Sequence, residues 1–66
     1  MNWIYCTDRL PENSDDVLVT VKRGSWVFVS IDSYNKRQYG GWLNYDGEDG
    51  YNVIAWTELP EPAERR

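Results

Sequence analysis

Apolar runs alternate with turn signals at short spacing along the chain, a pattern typical of an antiparallel sheet. Residues 17–21 are the clearest strand, because their β-branched side chains favour the pleated conformation. Arg23 and Gly24 supply a tight turn, and residues 25–31 form the returning strand. Apolar residues fall on both faces of this hairpin, so we expect it to be central in the sheet and covered on each side.

The register of this hairpin predicts which side chains meet. A two-residue loop is expected to pair Val21 with Trp26 and Val19 with Phe28 on one face, and Thr20 with Val27 and Leu18 with Val29 on the other. Trp26 is therefore expected to lie inside the core.

The second half of the chain predicts another hairpin. Residues 39–45 form a third strand that Gly40 and Gly41 loosen, and residues 51–57 form a fourth. The acidic glycine turn 46–50 joins the two strands. The expected neighbours are Tyr45 with Tyr51, Leu43 with Val53, Trp42 with Ile54, and Trp56 with Gly40. The polar segment 32–38 is expected to be an exposed connection.

The remaining segments complete a mainly β prediction. Residues 3–5 are a short apolar start, and residues 8–16 are a loop or one helical turn that Asp8 would cap. Pro60 and Pro62 end the last strand, because proline cannot donate to the ladder. We expect one domain over residues 1–62 with a frayed tail at 63–66. Its fold would be a small antiparallel sheet of three to five strands. The chain would contain at most one short helix, and the sheet would be barrel-like or, alternatively, flat with that helix over residues 8–16.

Length and composition limit how such a domain is stabilised. A chain of 66 residues buries only about 60% of its unfolded surface, and one small core rarely contributes more than roughly 3–5 kcal/mol. Cys6 is the only cysteine and histidine is absent, so we expect neither an intrachain disulfide nor a zinc site. Aromatic residues make up 15% of the chain and are expected to form most of the core. No cofactor is expected.

The charge and the apolar pattern restrict the partner and the compartment. A net charge of −4 disfavours direct nucleic-acid binding and suits a partner with a basic surface. No apolar run approaches the ~20 residues of a membrane span, and no signal peptide is visible after Met1. We therefore expect a cytoplasmic protein that does not enter a membrane.

The chain lacks the residue combinations that catalysis requires. A nucleophile needs a base beside it, and Cys6 has no histidine partner, so we interpret it as a structural thiol. Two carboxylate pairs, at 15–16 and 48–49, lie in predicted loops where a small sheet offers little concave pocket for acid–base work. The sequence therefore predicts a binding protein and not an enzyme.

The acidic turn is the leading candidate for partner binding. Two glycines let its backbone turn tightly, so that three carboxylates project from one tip above two tyrosines. Facing a basic surface, such a tip would raise the association rate and make binding sensitive to salt. The candidate binding residues are Asp46, Glu48, Asp49, Tyr45, Tyr51, Asp15 and Asp16. A carbohydrate- or peptide-binding module that uses exposed tyrosines is one alternative, and a structural subunit of a larger assembly is another.

The two ends of the chain carry a recognisable set of anchors. These anchors are Trp3-Ile4, Asp8-Arg9-Leu10-Pro11, Val17-Leu18-Val19, Tyr51-Asn52-Val53, Trp56 and Leu59-Pro60-Glu61-Pro62. The set resembles a family of short proteins of unknown function found in bacteriophages and prophages. Members of that family typically open W-I-x-x-x-x-R-L-P and close near Y-N-V-T-H-W-x-P-L-P-x-P. This chain departs from the family pattern at Ile54-Ala55, which replace T-H, and at Glu58, which replaces the first proline of the closing motif.

The resemblance implies a biological context. It suggests a phage accessory protein that binds and modulates a host protein, such as an inhibitor of a defence or nucleic-acid-processing system. The anchors also have a physical interpretation, since apolar landmarks at both ends would bring the termini together over the central hairpin. Leu10 and Leu59 would then plug the edges of the sheet.

Overall fold

The computed structural model describes residues 2–60, which fold into two antiparallel sheets. Six strands occur in this range: β1 (Ile4–Tyr5), β2 (Val17–Arg23), β3 (Trp26–Asp32), β4 (Tyr34–Asn35), β5 (Gly41–Trp42) and β6 (Asn52–Glu58). One sheet has the order β1-β6-β2-β3, and β4 pairs with β5 in the other.

The prediction of a mainly β fold with at most one short helix is confirmed, and the sheet is not closed into a barrel. The four-stranded sheet stays open, and none of residues 2–60 is helical, including the segment 8–16. The predicted domain end at residue 62 and the tail 63–66 lie outside the described residues.

One face of the four-stranded sheet carries the core. Val17, Val19 and Val21 alternate along β2 and are at most 4% exposed, because the pleat directs every second side chain to the same face. Trp56 on β6 lies opposite Val19 on one side and Ile4 on the other. The expected meeting of the chain ends is therefore present. It occurs beside β2 within the sheet and not over the hairpin.

The register of the first hairpin is two residues away from the expected one. Gly24 and Ser25 form the turn, with φ of +58° at Gly24, which fits a type II′ turn with glycine at its first position. The strands run right up to this turn, so Arg23 pairs with Trp26 and Val21 pairs with Phe28. A shift of two residues keeps each side chain on its expected face. It moves Trp26 to the end of its strand, where the residue is 57% exposed, so the prediction that it lies in the core is wrong.

The hairpin is neither central nor covered on both sides. β6 lies between β1 and β2, and no described strand pairs with the outer side of β3, so β3 is at the edge of the sheet. On the face opposite the core, Val27, Val29 and Ile31 are each about half exposed (49–58%). The described aromatic segments that follow β3 pack on the core face, so one face of the sheet is left open.

The second predicted hairpin is also different. The expected third strand shortens to β5, which pairs with β4 and not with β6, so the expected Leu43–Val53, Trp42–Ile54 and Trp56–Gly40 neighbours are wrong. The segment 32–38 contains β4 and two buried residues, Asp32 and Ser33, and is therefore more than an exposed connection. Leu10 and Leu59 do not plug the edges, since they are 37% and 39% exposed.

Candidate protein-binding surface

The acidic turn 46–50 folds tightly because of its glycines and one side-chain cap. Gly47 and Gly50 have φ of +94° and +81°, a region that favours glycine. The Glu48 amide donates to the Asp46 carboxylate at 3.0 Å, and the Gly50 amide donates to the Gly47 carbonyl at 3.2 Å. Asp46, Glu48 and Asp49 are exposed. The three carboxylates therefore lie together on the surface of one tight turn, as predicted from the sequence.

Arg23 fastens this turn to the end of the first hairpin. Its Nε donates to the Asp49 carbonyl at 3.1 Å, and its guanidinium lies 4.8 Å from the centre of the Tyr51 ring. Such a cation–π contact contributes about 0.5–1 kcal/mol at an exposed site. The acidic turn is therefore held against β2 and β3 by a contact that the sequence interpretation did not include.

Four aromatic rings lie at the base of the turn and contact one another. The Phe28 ring lies 4.8 Å from Trp26, 5.9 Å from Tyr45 and 6.1 Å from Tyr51, measured between ring centres. Tyr45 and Tyr51 lie 5.9 Å apart and are the neighbours that the sequence predicted. Ring distances in this range are favourable for tilted and edge-to-face packing. Trp26 joins this cluster, although the sequence interpretation assigned it to the core.

A buried carboxylate places Tyr45 in this cluster. Asp32 is 1% exposed, and its two oxygens accept from three backbone amides: Ser33 at 2.8 Å, Asn44 at 2.9 Å and Tyr45 at 3.0 Å. The Tyr45 hydroxyl also lies 2.9 Å from the Ser30 hydroxyl. Immediately after Tyr45, Asp46 pairs with Asn52 of β6 through an isolated antiparallel β-bridge. The hydrogen bonds to Asp32 therefore fix the path of the chain across the core face, between β5 and the acidic turn.

We call the combination of the half-exposed tryptophan, the two tyrosines and the three turn carboxylates the acidic–aromatic surface. Its members are Trp26, Tyr45, Tyr51, Asp46, Glu48 and Asp49. The sequence interpretation identified every member except Trp26. The signal that could have found it is the Gly24-Ser25 pair, since a two-residue turn there puts the tryptophan at the strand end.

The other two candidate residues lie at the opposite end of the sheet. Asp15 and Asp16 precede β2, whereas the acidic–aromatic surface lies at its far end, about 20 Å away for a seven-residue strand. They line a groove of about 400 Å³ together with Glu12, Glu58 and Trp56. The acidic candidate residues therefore fall into two separate groups.

Arg9 closes this distant groove against the core. Its guanidinium lies 5.6 Å from the centre of the Trp56 ring, and its carbonyl accepts from the indole Nε1 of Trp56 at 2.9 Å. Each acidic group therefore has an arginine of the chain beside it, and the two groups differ in their tryptophans, because Trp56 in the groove is 5% exposed whereas Trp26 is 57% exposed. A buried ring offers a partner little aromatic area compared with Trp26.

Cys6 is half-buried next to β6. Its backbone amide donates to the Ile54 carbonyl at 3.0 Å, and burial raises the pKa of its thiol. A raised pKa lowers the thiolate fraction and with it the reactivity of the sulfur. Among the described residues, no group of three or more His, Cys, Asp or Glu side chains is placed to hold a metal ion. Nor does any helix suited to crossing a membrane occur in this part of the chain.

Comparison with known proteins identifies a family. No match was found among curated proteins or among solved structures. A family model does match, and it covers residues 2–64, nearly the whole chain. The chain therefore belongs to the family described as Protein of unknown function (DUF551).

Proposed function

We propose that this chain is a non-enzymatic phage or prophage accessory protein, resident in the bacterial cytoplasm, that binds a host protein through the acidic–aromatic surface. The observation that carries the proposal is the position of Trp26, which is 57% exposed beside a turn that bears three carboxylates. The partner would have a basic surface. A defence or nucleic-acid-processing protein that the chain inhibits would fit this description.

The aromatic part of the surface supports protein binding. Tryptophan, tyrosine and arginine are the residues most enriched among those whose truncation costs an interface more than 2 kcal/mol. Trp26, Tyr51 and Arg23 provide all three types at one end of the sheet. By contrast, Trp42 and Trp56 are at most 9% exposed. A large ring left half-exposed while these two are buried is available for a partner.

The charged part of the surface indicates the chemistry of the partner. Carboxylates at the rim of an interface steer a basic partner and raise its association rate, with a strong dependence on salt. They also repel phosphate, so direct binding of nucleic acid is disfavoured. Proteins that process nucleic acids carry basic surfaces for their substrates, and an acidic turn could occupy such a surface.

A capture experiment with matched variants tests the proposal. The protein is immobilised and exposed to lysate of its bacterial host, and bound proteins are identified by mass spectrometry. The two site variants are Trp26→Ala and the triple variant Asp46→Asn, Glu48→Gln, Asp49→Asn. The control is the triple variant Glu12→Gln, Asp15→Asn, Asp16→Asn, which changes the net charge equally at the opposite end of the sheet.

The expected result is one host protein that the parent and the control retain and both site variants lose, with folding of each variant verified by circular dichroism. Equal loss of that protein with the control variant would show that net charge, and not the acidic–aromatic surface, governs binding. Retention by both site variants would overturn the proposal.

The carbohydrate- or peptide-binding alternative has less support from the geometry. Tyr45 and Tyr51 are half-buried, and their rings pack against Phe28 and each other. Stacking on a sugar requires an accessible ring face. The exposed tyrosines are Tyr5 (57%) on β1 and Tyr39 (37%) between β4 and β5 of the second sheet, and neither belongs to the acidic–aromatic surface.

A further inference from the structure

A second surface suited to binding a partner is the outer edge of β3, the side of the strand that faces away from β2. This strand is seven residues long, and no described residue pairs with the side of it that faces away from β2. The opposite edge of the sheet is β1, which has only two residues. Native proteins protect edges with short strands, lysine, proline or bulges. β1 is protected by its brevity, whereas β3 contains neither lysine nor proline and pairs with β2 without a bulge.

The turn geometry shows which backbone groups point outward. In a two-residue hairpin the residues that flank the turn exchange their backbone hydrogen bonds, and the pattern then alternates along the strand. Arg23 and Trp26 flank the turn here. The amides and carbonyls of Phe28 and Ser30 therefore point toward β2, while those of Val27, Val29 and Ile31 point to the unpaired edge.

The same three residues also carry the apolar side chains of the open face. Val27, Val29 and Ile31 are 53%, 58% and 49% exposed on the face opposite the core. Their unpaired backbone groups and their exposed aliphatic side chains therefore occupy one continuous strip. The sole ionisable residue of β3, Asp32, is buried on the core face, so no exposed charge interrupts this strip.

We propose that this strip pairs with the same strip of a second copy of the chain, β3 against β3 in antiparallel orientation. The outward-facing residues are symmetric about Val29. A two-fold axis at Val29 pairs Val29 with its counterpart and Val27 with Ile31 of the partner subunit, so that all three outward residues of each copy are hydrogen-bonded. The result is one continuous eight-stranded sheet whose apolar strip is doubled in width.

Electrostatics also permits this self-pairing. Each chain carries a net charge of −4, and the carboxylates of the acidic turn and the distant groove lie outside β3. The pairing edge itself therefore carries no exposed carboxylate, and the repulsion between two chains of net charge −4 acts through the rest of their surfaces. A junction of one strand pair is smaller than the ~1,600 Å² of a standard interface. We therefore expect a reversible dimer whose population rises with protein concentration.

Amide hydrogen exchange of the wild-type protein, followed by NMR at a series of concentrations, tests the pairing residue by residue. Phe28 and Ser30 should be protected at all concentrations because they bond to β2. Val27, Val29 and Ile31 should exchange rapidly in dilute solution and become protected as concentration rises. Exchange at these three amides that does not change with concentration would overturn the proposal.

Sedimentation equilibrium with two variants provides the second arm. Val29→Pro removes an amide that bonds nothing within the monomer, and proline is tolerated where an edge amide faces outward. Val29→Thr is the matched control, because it keeps the amide and the β-branched shape. Val29→Pro should weaken dimerisation by about tenfold or more, whereas Val29→Thr should dimerise within a few-fold of the wild type.

Equal dimerisation of all three proteins, or a monomeric wild type at the highest concentration reached, would contradict the proposal. If Val29→Pro fails to fold, the exchange pattern of the wild type still decides. No host protein is present in either measurement. Their outcome is therefore independent of the acidic–aromatic surface, whose Trp26 lies on the opposite face of the sheet.

Discussion

The carboxylate of Asp32 is expected to be the most sensitive polar group in the described structure. We expect Asp32→Asn, which keeps the size of the side chain, to destabilise the protein severely. The carboxylate accepts from the amides of Ser33, Asn44 and Tyr45 inside a site that is 1% exposed. An asparagine offers only one oxygen, so its NH₂ group must face at least one of these donors.

The magnitude follows from these contacts. Hydrogen bonds to a charged acceptor contribute about 1.5–3 kcal/mol, and a buried amide left without an acceptor costs about 1–3 kcal/mol. We therefore expect Asp32→Asn to lower the free energy of unfolding by about 3 kcal/mol, most of the roughly 3–5 kcal/mol available to a domain of this size. Urea unfolding monitored by tryptophan fluorescence measures this loss.

The control is Ser30→Ala, which removes only the hydroxyl contact with Tyr45 and should cost about 1 kcal/mol. If Asp32→Asn unfolds within about 0.5 kcal/mol of the wild type, as surface substitutions do, the assigned role of Asp32 is wrong.

Three further predictions use single substitutions. Trp26→Ala should lower the free energy of unfolding by about 2 kcal/mol, because less than half of a ring that can bury about 200 Å² is covered. A loss above the ~3 kcal/mol of a core ring would show that Trp26 is more buried than described. Gly24→Ala should lower the free energy of unfolding by about 1–2 kcal/mol. The loss would come from the φ of +58° alone, because no atom lies within 4 Å of the added methyl group. An unchanged melting temperature would contradict the turn assignment. Cys6→Ser should leave host-protein binding within a few-fold of the parent. Because the raised pKa of Cys6 reduces its thiolate at pH 8, iodoacetamide should modify the folded protein more slowly than the urea-unfolded one, and equal rates would contradict its burial.

Local pattern was sufficient to identify the long strands. The β-branched run at 17–21 and the aromatic-rich run that ends near Thr57 both form strands, because their side chains fit a pleated, half-buried surface. The strand order could not be obtained in this way. β6 inserts between β1 and β2 through contacts distant in sequence, and β3 is at the edge because no described strand pairs with its outer side.

The second predicted hairpin was wrong for a physical reason that the alternation of residues does not reveal. The carboxylate of Asp32 accepts hydrogen bonds from the amides of Asn44 and Tyr45. Because these amides are used there, they do not form a ladder with β6, and the chain crosses the core face instead. Tyr45 and Tyr51 still meet, because a glycine-flanked turn brings its ends together in either arrangement. Asp15 and Asp16 are not near them, since the length of β2 separates the two acidic groups.

The most direct test of host-protein binding by the acidic–aromatic surface is an affinity titration of the captured host protein at low and high salt. The parent is compared with the Asp46→Asn, Glu48→Gln, Asp49→Asn variant and with the Glu12→Gln, Asp15→Asn, Asp16→Asn control. At low salt the turn variant should bind at least tenfold more weakly, about 1.4 kcal/mol, and the difference should shrink at high salt as screening increases. The control should remain within about twofold of the parent. If the turn variant binds as tightly as the parent and neither depends on salt, the acidic turn does not contact the partner.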